Sequence, residues 1–138
     1  MIPPVTAPIT APKVTPIPSF QAKYKIKGGN PDLKQLWDRG KLPTVKYGFY
    51  GDELTSENVS REHLKPASLG GTKRFGNIVL ASKANNQRRG NKEIGLFATL
   101  ENARIYLSQF IDVKLPEFNG NRYIKAVTET LKDLGWIK

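Results

Sequence analysis

The chain has 138 residues, 38% hydrophobic and 25% charged, and carries a formal net charge of +10. Such a length and composition fit one ordinary soluble domain with a modest core, not a disordered chain. With no cysteine and a single histidine, disulfide frameworks, thiolate zinc knuckles and His-rich metal sites are all excluded.

No apolar run approaches the roughly 20 residues of a membrane span. The N-terminus also lacks the basic-then-apolar order of a secretory signal. The cation excess points to a polyanion partner, nucleic acid first and an anionic membrane second.

Six of the ten prolines fall within residues 1–18. Proline removes amide donors and fixes φ, so residues 1–19 are expected to form an extended Pro-rich arm, a spacer or packing arm outside the core. Residues 20–138 form the expected folded domain. Polar and apolar residues alternate over 20–29 up to Gly28-Gly29, the pattern of a short strand or extended arm. A helix follows, with Asn30 as cap, Pro31 in its first position, Leu33, Leu36 and Trp37 on one face and Gly40 at its end.

Thr44 to Tyr50 is β-branched and aromatic and reads as extended, with Gly51-Asp52-Glu53 as a turn. Asp52, Glu53 and Glu57 read as solvated loop acids, and as metal ligands only if the fold returns them to a site. Asn58–Leu64 reads as a strand ended by Pro66, and 67–76 as a loop in which Gly70-Gly71 permits positive φ. Asn77–Leu80 reads as a short strand, followed by a helix from the Ser82 cap to about Arg89, with Gly90 beyond it. Two further helices are expected. One carries Leu100, Ala103, Leu107, Phe110 and Ile111 behind a Thr99 cap; the other carries Ile124, Val127, Leu131 and Leu134 and ends at Gly135. Trp136 and Ile137 are expected to close the core edge.

The stretch from Glu62 to Asn91 carries the chemistry. His63 directly follows Glu62, Asn77 lies fourteen positions on, and Asn86 nine beyond that. From Arg61 to Lys92 there are eight Lys or Arg against one acid, Glu62. This segment has no amphipathic run suited to a membrane surface, which favours nucleic acid. Phosphodiester cleavage needs an activated water, charge stabilisation at phosphate and help for the leaving oxygen. Imidazole can take the water's proton near neutral pH, and a carboxylate with an amide oxygen can hold a hard cation. Taken singly, Asn77 and Asn86 read as caps, and Glu62 as a partner of Arg61 or Arg88. Neighbours on a strand face opposite ways, so Glu62 and His63 share a site only if the strand bends there.

Together these residues resemble the HNH family of ββα-metal nucleases. The motif runs through Glu62-His63, Gly70-Gly71, Asn77-Ile78-Val79-Leu80 and Asn86-Gln87-Arg88-Arg89-Gly90, with Asn at the last position where some members have His. The resemblance implies an α+β fold with a ββα-metal core over about 57–91, a helical C-terminal part over 95–136, and metal-dependent hydrolysis of DNA. It implies His63 as general base, Glu62 and Asn86 as ligands of one Mg²⁺ (Mn²⁺ or Ni²⁺ substituting), and Asn77 as the tie of the loop that orients His63. Arg89 matches the basic position that contacts the scissile phosphate. Lys65, Lys73, Arg74, Lys83 and Arg88 are the further nucleic-acid-binding candidates.

Many members carry two CxxC pairs holding structural zinc; here no cysteine exists, so helices and aromatic packing are expected to do that work. The expected partner is double-stranded DNA, with no membrane. A monomer would nick, whereas double-strand cutting would need a homodimer, two events, or a phage or host protein. The expected location is the cytoplasm of a bacterial host, with a phage or mobile element as source. The alternatives are a non-catalytic DNA-binding module on the same fold and a nuclease toxin or defence effector.

Overall fold

The computed structural model describes residues 32–138 except Lys73. The expected arm, the alternating stretch 20–29 and the Asn30–Pro31 helix start lie outside the described residues, as does Lys73. Those described form an α+β fold. Helix α1 (Leu33–Asp38) begins at Asp32, whose carboxylate accepts from the Gln35 amide at 2.9 Å. The Gln35 side chain in turn accepts from the Asp32 amide at 3.0 Å. The cap is therefore Asp32 and not Asn30, because a reciprocal box needs Gln or Glu three residues on and only Asp32 has it. Leu33 and Leu36 are buried, and the Trp37 indole N–H donates to the Val45 carbonyl at 2.9 Å.

The expected extended run 44–50 is instead one side of a tight reversal. Tyr47 bridges Glu53, Gly48 N–H donates to the Asp52 carbonyl, and Leu54 N–H donates to that of Lys46. The turn thus lies at 48–51 rather than 51–53. Burial decides this: Phe49, at the turn, is fully inside, and its amide donates to the Leu80 carbonyl at 2.8 Å.

Strands β1 (Val59–His63) and β2 (Ile78–Ser82) pair antiparallel, with Glu62 opposite Val79 and His63 opposite Ile78. Asn77, expected as the first strand residue, sits in the single 3-10 turn Phe75–Asn77. Between the strands lie the 3-10 turn Ala67–Leu69 and Gly70, whose φ is +94°. A Cβ on Gly71 would stand 1.7 Å from the Lys65 carbonyl oxygen, so the loop folds back on its own backbone as only glycine allows. Helix α2 (Lys83–Arg89) leaves β2 without a linker, and the Ser82 hydroxyl accepts from the Asn85 amide.

Helix α3 (Leu100–Ser108) starts at the expected Thr99 cap. Its buried side keeps Ala103, Leu107 and Phe110 of the expected stripe but not Leu100 and Ile111, and adds Tyr106. Leu100 and Ile111 are 62% and 57% exposed, whereas Ala103, Tyr106 and, just past the helix, Phe110 are inside. A short hairpin of β3 (Lys114–Leu115) and β4 (Phe118–Asn119) leads into α4 (Gly120–Asp133), which buries Tyr123, Val127 and Leu131 while Leu134 lies outside the core.

The two inward tyrosines explain the shift. Strand β2 has β1 on one edge only, so the polar groups of its other edge need partners inside the core. Leu80 N–H donates to the Tyr106 hydroxyl at 3.0 Å, and the Tyr123 hydroxyl donates to the Ile78 carbonyl at 2.7 Å. The hydroxyls lie 2.8 Å apart. Since Tyr123 has committed its one hydrogen to Ile78, Tyr106 donates to Tyr123. Burial pushes both phenols well above their ordinary range, so both keep that hydrogen. Leucine at either position would fill the space but strand a buried backbone group, at about 1–3 kcal/mol.

Candidate functional site

Helix α2 lies along the free edge of β1 and is fastened to it by two side chains one turn apart. The Asn86 amide nitrogen donates to the Arg61 carbonyl at 2.7 Å and the Ser60 hydroxyl at 3.0 Å. The Arg89 guanidinium donates to the carbonyls of His63 at 2.6 Å, Leu64 at 2.8 Å and Lys92 at 2.6 Å. It also reaches the Glu62 carboxylate at 3.3 Å. These bonds lock Glu62 and His63 in place relative to the helix.

Glu62 is 3% exposed. Its Oε2 accepts from the Tyr50 hydroxyl at 2.5 Å and from Arg89, whereas no side chain donates to Oε1. Burial pushes the Glu62 carboxyl above the ordinary carboxylate range, and Tyr50, Arg89 and the His63 backbone amide pull it back only in part. Burial and the adjacent carboxylate raise the Tyr50 phenol, which therefore stays a donor. Arg61 and Arg88 are not the partners of Glu62. Arg61 pairs with Asp32 at 2.7 Å, and Arg88 donates to Asn85 Oδ1 at 2.6 Å.

Strand β1 keeps its pairing through His63 and bends only after it, at Leu64–Lys65. The bend at the strand end thus comes too late to turn Glu62 and His63 to one side, and their side chains occupy opposite sides of β1. Glu62 faces inward to Tyr50 and Arg89. The half-buried His63 imidazole makes no hydrogen bond among the described residues. Asn86 Oδ1 likewise accepts none, its amide nitrogen being the anchored end. The fold thus fixes Glu62 and Asn86 through neighbouring bonds but does not bring the Glu62 and His63 side chains onto one face.

Asn77 is buried and ties the loop. Its Oδ1 accepts from the Lys65 amide at 2.8 Å, and its Nδ2 donates to the carbonyls of Lys65 at 3.1 Å and Thr72 at 2.8 Å. The Asn77 carbonyl accepts from Leu64 N–H at 2.8 Å, adding a backbone rung next to His63.

Arg89 departs from expectation. At 2% exposure, with its donors committed to three carbonyls and Glu62, the guanidinium faces inward and is not available to a phosphate. The reason is architectural: carbonyls at the end of β1 need donors, and a planar five-donor group supplies several at once. Lys65, Arg74 and Lys83 are exposed, and their side chains make no ion pair among the described residues. Arg88 is exposed but leans on Asn85.

Asp52 is not a solvated acid. Its Oδ2 accepts from the Ser82 hydroxyl at 2.5 Å and from the Asn85 side-chain amide, so it fixes the start of α2. Glu53 and Glu57 are exposed. Sequence reasoning missed Tyr50 and Ser60 as partners of the site. Tyr50 sits in an aromatic run that reads only as extended, and nothing local links it to a carboxylate twelve residues away.

Among the described residues no three His, Cys, Asp or Glu side chains cluster as a metal-binding group. Glu62 Oε1 and Asn86 Oδ1, which take no side-chain donor among the described residues, are hard oxygens, the donor class that suits Mg²⁺ with water in its remaining positions. Among the described residues no helix is long and apolar enough to cross a membrane. No family model, curated protein or solved structure matches the chain.

Proposed function

We propose that the protein is a metal-dependent endonuclease of the HNH, or ββα-metal, class that hydrolyses DNA phosphodiester bonds, nicking as a monomer. One observation carries the reading. A strand–strand–helix unit holds Glu62 and Asn86 through bonds that, among the described residues, leave one oxygen of each without a side-chain donor, and the imidazole of His63 beside them makes no hydrogen bond there. The exposed, unpaired Lys65, Arg74 and Lys83 give DNA phosphates counter-charge around this unit.

In the proposed mechanism, Glu62 Oε1 and Asn86 Oδ1 would hold one Mg²⁺. When bound, it would supply positive charge for the phosphate and for the departing O3′. The His63 imidazole takes a proton from water as the water oxygen attacks phosphorus. The P–O3′ bond breaks with its electron pair going to O3′, which takes a proton from solvent water, leaving a 5′-phosphate and a 3′-hydroxyl. In-line displacement sets the attacking and leaving oxygens on opposite sides of phosphorus, so base and carboxylate need not share a face of β1. Asn77 and Arg89 act on the His63 backbone and the loop, not on the substrate. One site cuts one strand.

The test is conversion of supercoiled plasmid to nicked circles with Mg²⁺ and with EDTA. Wild type is expected to nick only with metal, and His63→Ala to bind DNA without cutting it. Intact plasmid across Mg²⁺, Mn²⁺ and Ni²⁺, with retained DNA binding, would favour a non-catalytic DNA-binding module instead.

A further inference from the structure

We propose that Tyr50 is a positioning residue that restricts Glu62 to a single ligand oxygen and thereby selects Mg²⁺ over Ca²⁺. The inference rests on the nuclease reading above and adds a determinant of cation choice to it. A carboxylate oxygen has two lone-pair directions. On Glu62 Oε2 one is engaged by the Tyr50 hydroxyl at 2.5 Å and the other by Arg89 at 3.3 Å. No side chain donates to Oε1. Bidentate chelation would need Oε2 to shed a short hydrogen bond at a carboxylate that is 3% exposed, and losing a buried hydrogen bond is costly.

Asn86 is restricted in the same way. Its Nδ2 is bound to the Arg61 carbonyl and the Ser60 hydroxyl, and only Oδ1 remains. The protein thus offers one oxygen from each residue. Ca²⁺ takes six to eight oxygens in flexible geometry and accepts bidentate carboxylates, whereas Mg²⁺ takes six, keeps several waters and is content with one or two protein oxygens. Two fixed single-oxygen donors suit the smaller ion. Tyr50 is placed to enforce this by Phe49, which is fully buried beside it with the rings 5.6 Å apart, and by Asn102, whose side-chain amide donates to the Tyr50 carbonyl at 3.2 Å.

The experiment is a binding measurement on the full chain. Mn²⁺ is titrated by electron paramagnetic resonance, then displaced by Mg²⁺ or by Ca²⁺, for wild type, Tyr50→Phe and Glu62→Gln, with circular dichroism to check folding. Wild type is expected to bind Mn²⁺ at one site that Mg²⁺ empties more readily than Ca²⁺, and Glu62→Gln to abolish it. Tyr50→Phe frees Oε2, and Ca²⁺ is expected to gain on Mg²⁺ by about tenfold, the lower end of what partners of metal ligands contribute. If wild type and Glu62→Gln take up Mn²⁺ alike, the metal reading itself fails. If wild type binds, Glu62→Gln does not, and folded Tyr50→Phe keeps the wild-type Mg²⁺-to-Ca²⁺ ratio, the Tyr50 proposal is overturned while the nuclease reading stands. Should Tyr50→Phe not fold, wild type still decides: Ca²⁺ displacing Mn²⁺ as well as Mg²⁺ does, or better, overturns the proposal.

Discussion

Arg89 donates to the backbone carbonyl of His63 at 2.6 Å, so a helix residue holds the strand residue that carries the proposed base. Breaking a buried, paired arginine costs about 3–5 kcal/mol. Arg89→Ala is expected to lose stability on that scale in urea unfolding, and Arg89→Lys to recover little, because one ammonium cannot satisfy carbonyls in several directions. Near-wild-type stability with a selective loss of DNA affinity would restore the phosphate-contact role.

The loop gives a second prediction. Asn77→Ala removes three bonds to the backbone of Lys65 and Thr72, and each buried group left unpaired costs about 1–3 kcal/mol. Hydrogen exchange is expected to speed up first at the Lys65 amide. Plasmid nicking is expected to fall while Mn²⁺ affinity holds, since neither proposed ligand is touched. Gly71→Ala, with its Cβ 1.7 Å from a carbonyl oxygen, is expected to produce the same loosening.

Acid–base behaviour supplies a third. Burial raises the Glu62 carboxyl in the folded protein, above the roughly 4.3 of an unfolded glutamate. Protonation therefore favours the fold. That contribution is complete below the unfolded value and is lost as pH rises through the folded one. In EDTA, wild type is expected to lose stability relative to Glu62→Gln over this interval, and added Mg²⁺ to reverse the loss. Parallel stability–pH curves for the two proteins would contradict the assignment.

Salt dependence separates the cations. Lys65→Ala, Arg74→Ala and Lys83→Ala are each expected to reduce the slope of log K against log salt for DNA binding by about 1. Arg61→Ala is expected to change it less, because Arg61 is paired with Asp32. Equal effects at all four positions would mean that the surface is not organised around the site.

The elements nearest the site were the most legible. The Ser82 cap and the Gly90 stop follow from local chemistry and the Asn77 tie from the family resemblance, and there sequence and structure agree. What was not legible depended on distant partners. Tyr106 and Tyr123 displaced Leu100, Ile111 and Leu134 from the expected stripes because the bare edge of β2 needs hydroxyls, which no helical periodicity records. Tyr50 and Asp52 serve residues 12 and 30–33 positions away. The inward turn of Arg89 depends on carbonyls exposed only once β1 is built.

Both margins of the two-stranded sheet are engaged by side chains, Asn86 and Arg89 on β1 and the two tyrosines on β2. A bare strand margin invites another chain to add a strand. Here the carbonyls of Arg61, His63 and Ile78 and the amide of Leu80 are already taken, so the β1–β2 sheet does not offer that route to self-association. Two copies cutting opposite strands would have to be brought together by the DNA or by another surface, and the concentration of bound sites, not a continuous sheet, would set the rate of double-strand breakage.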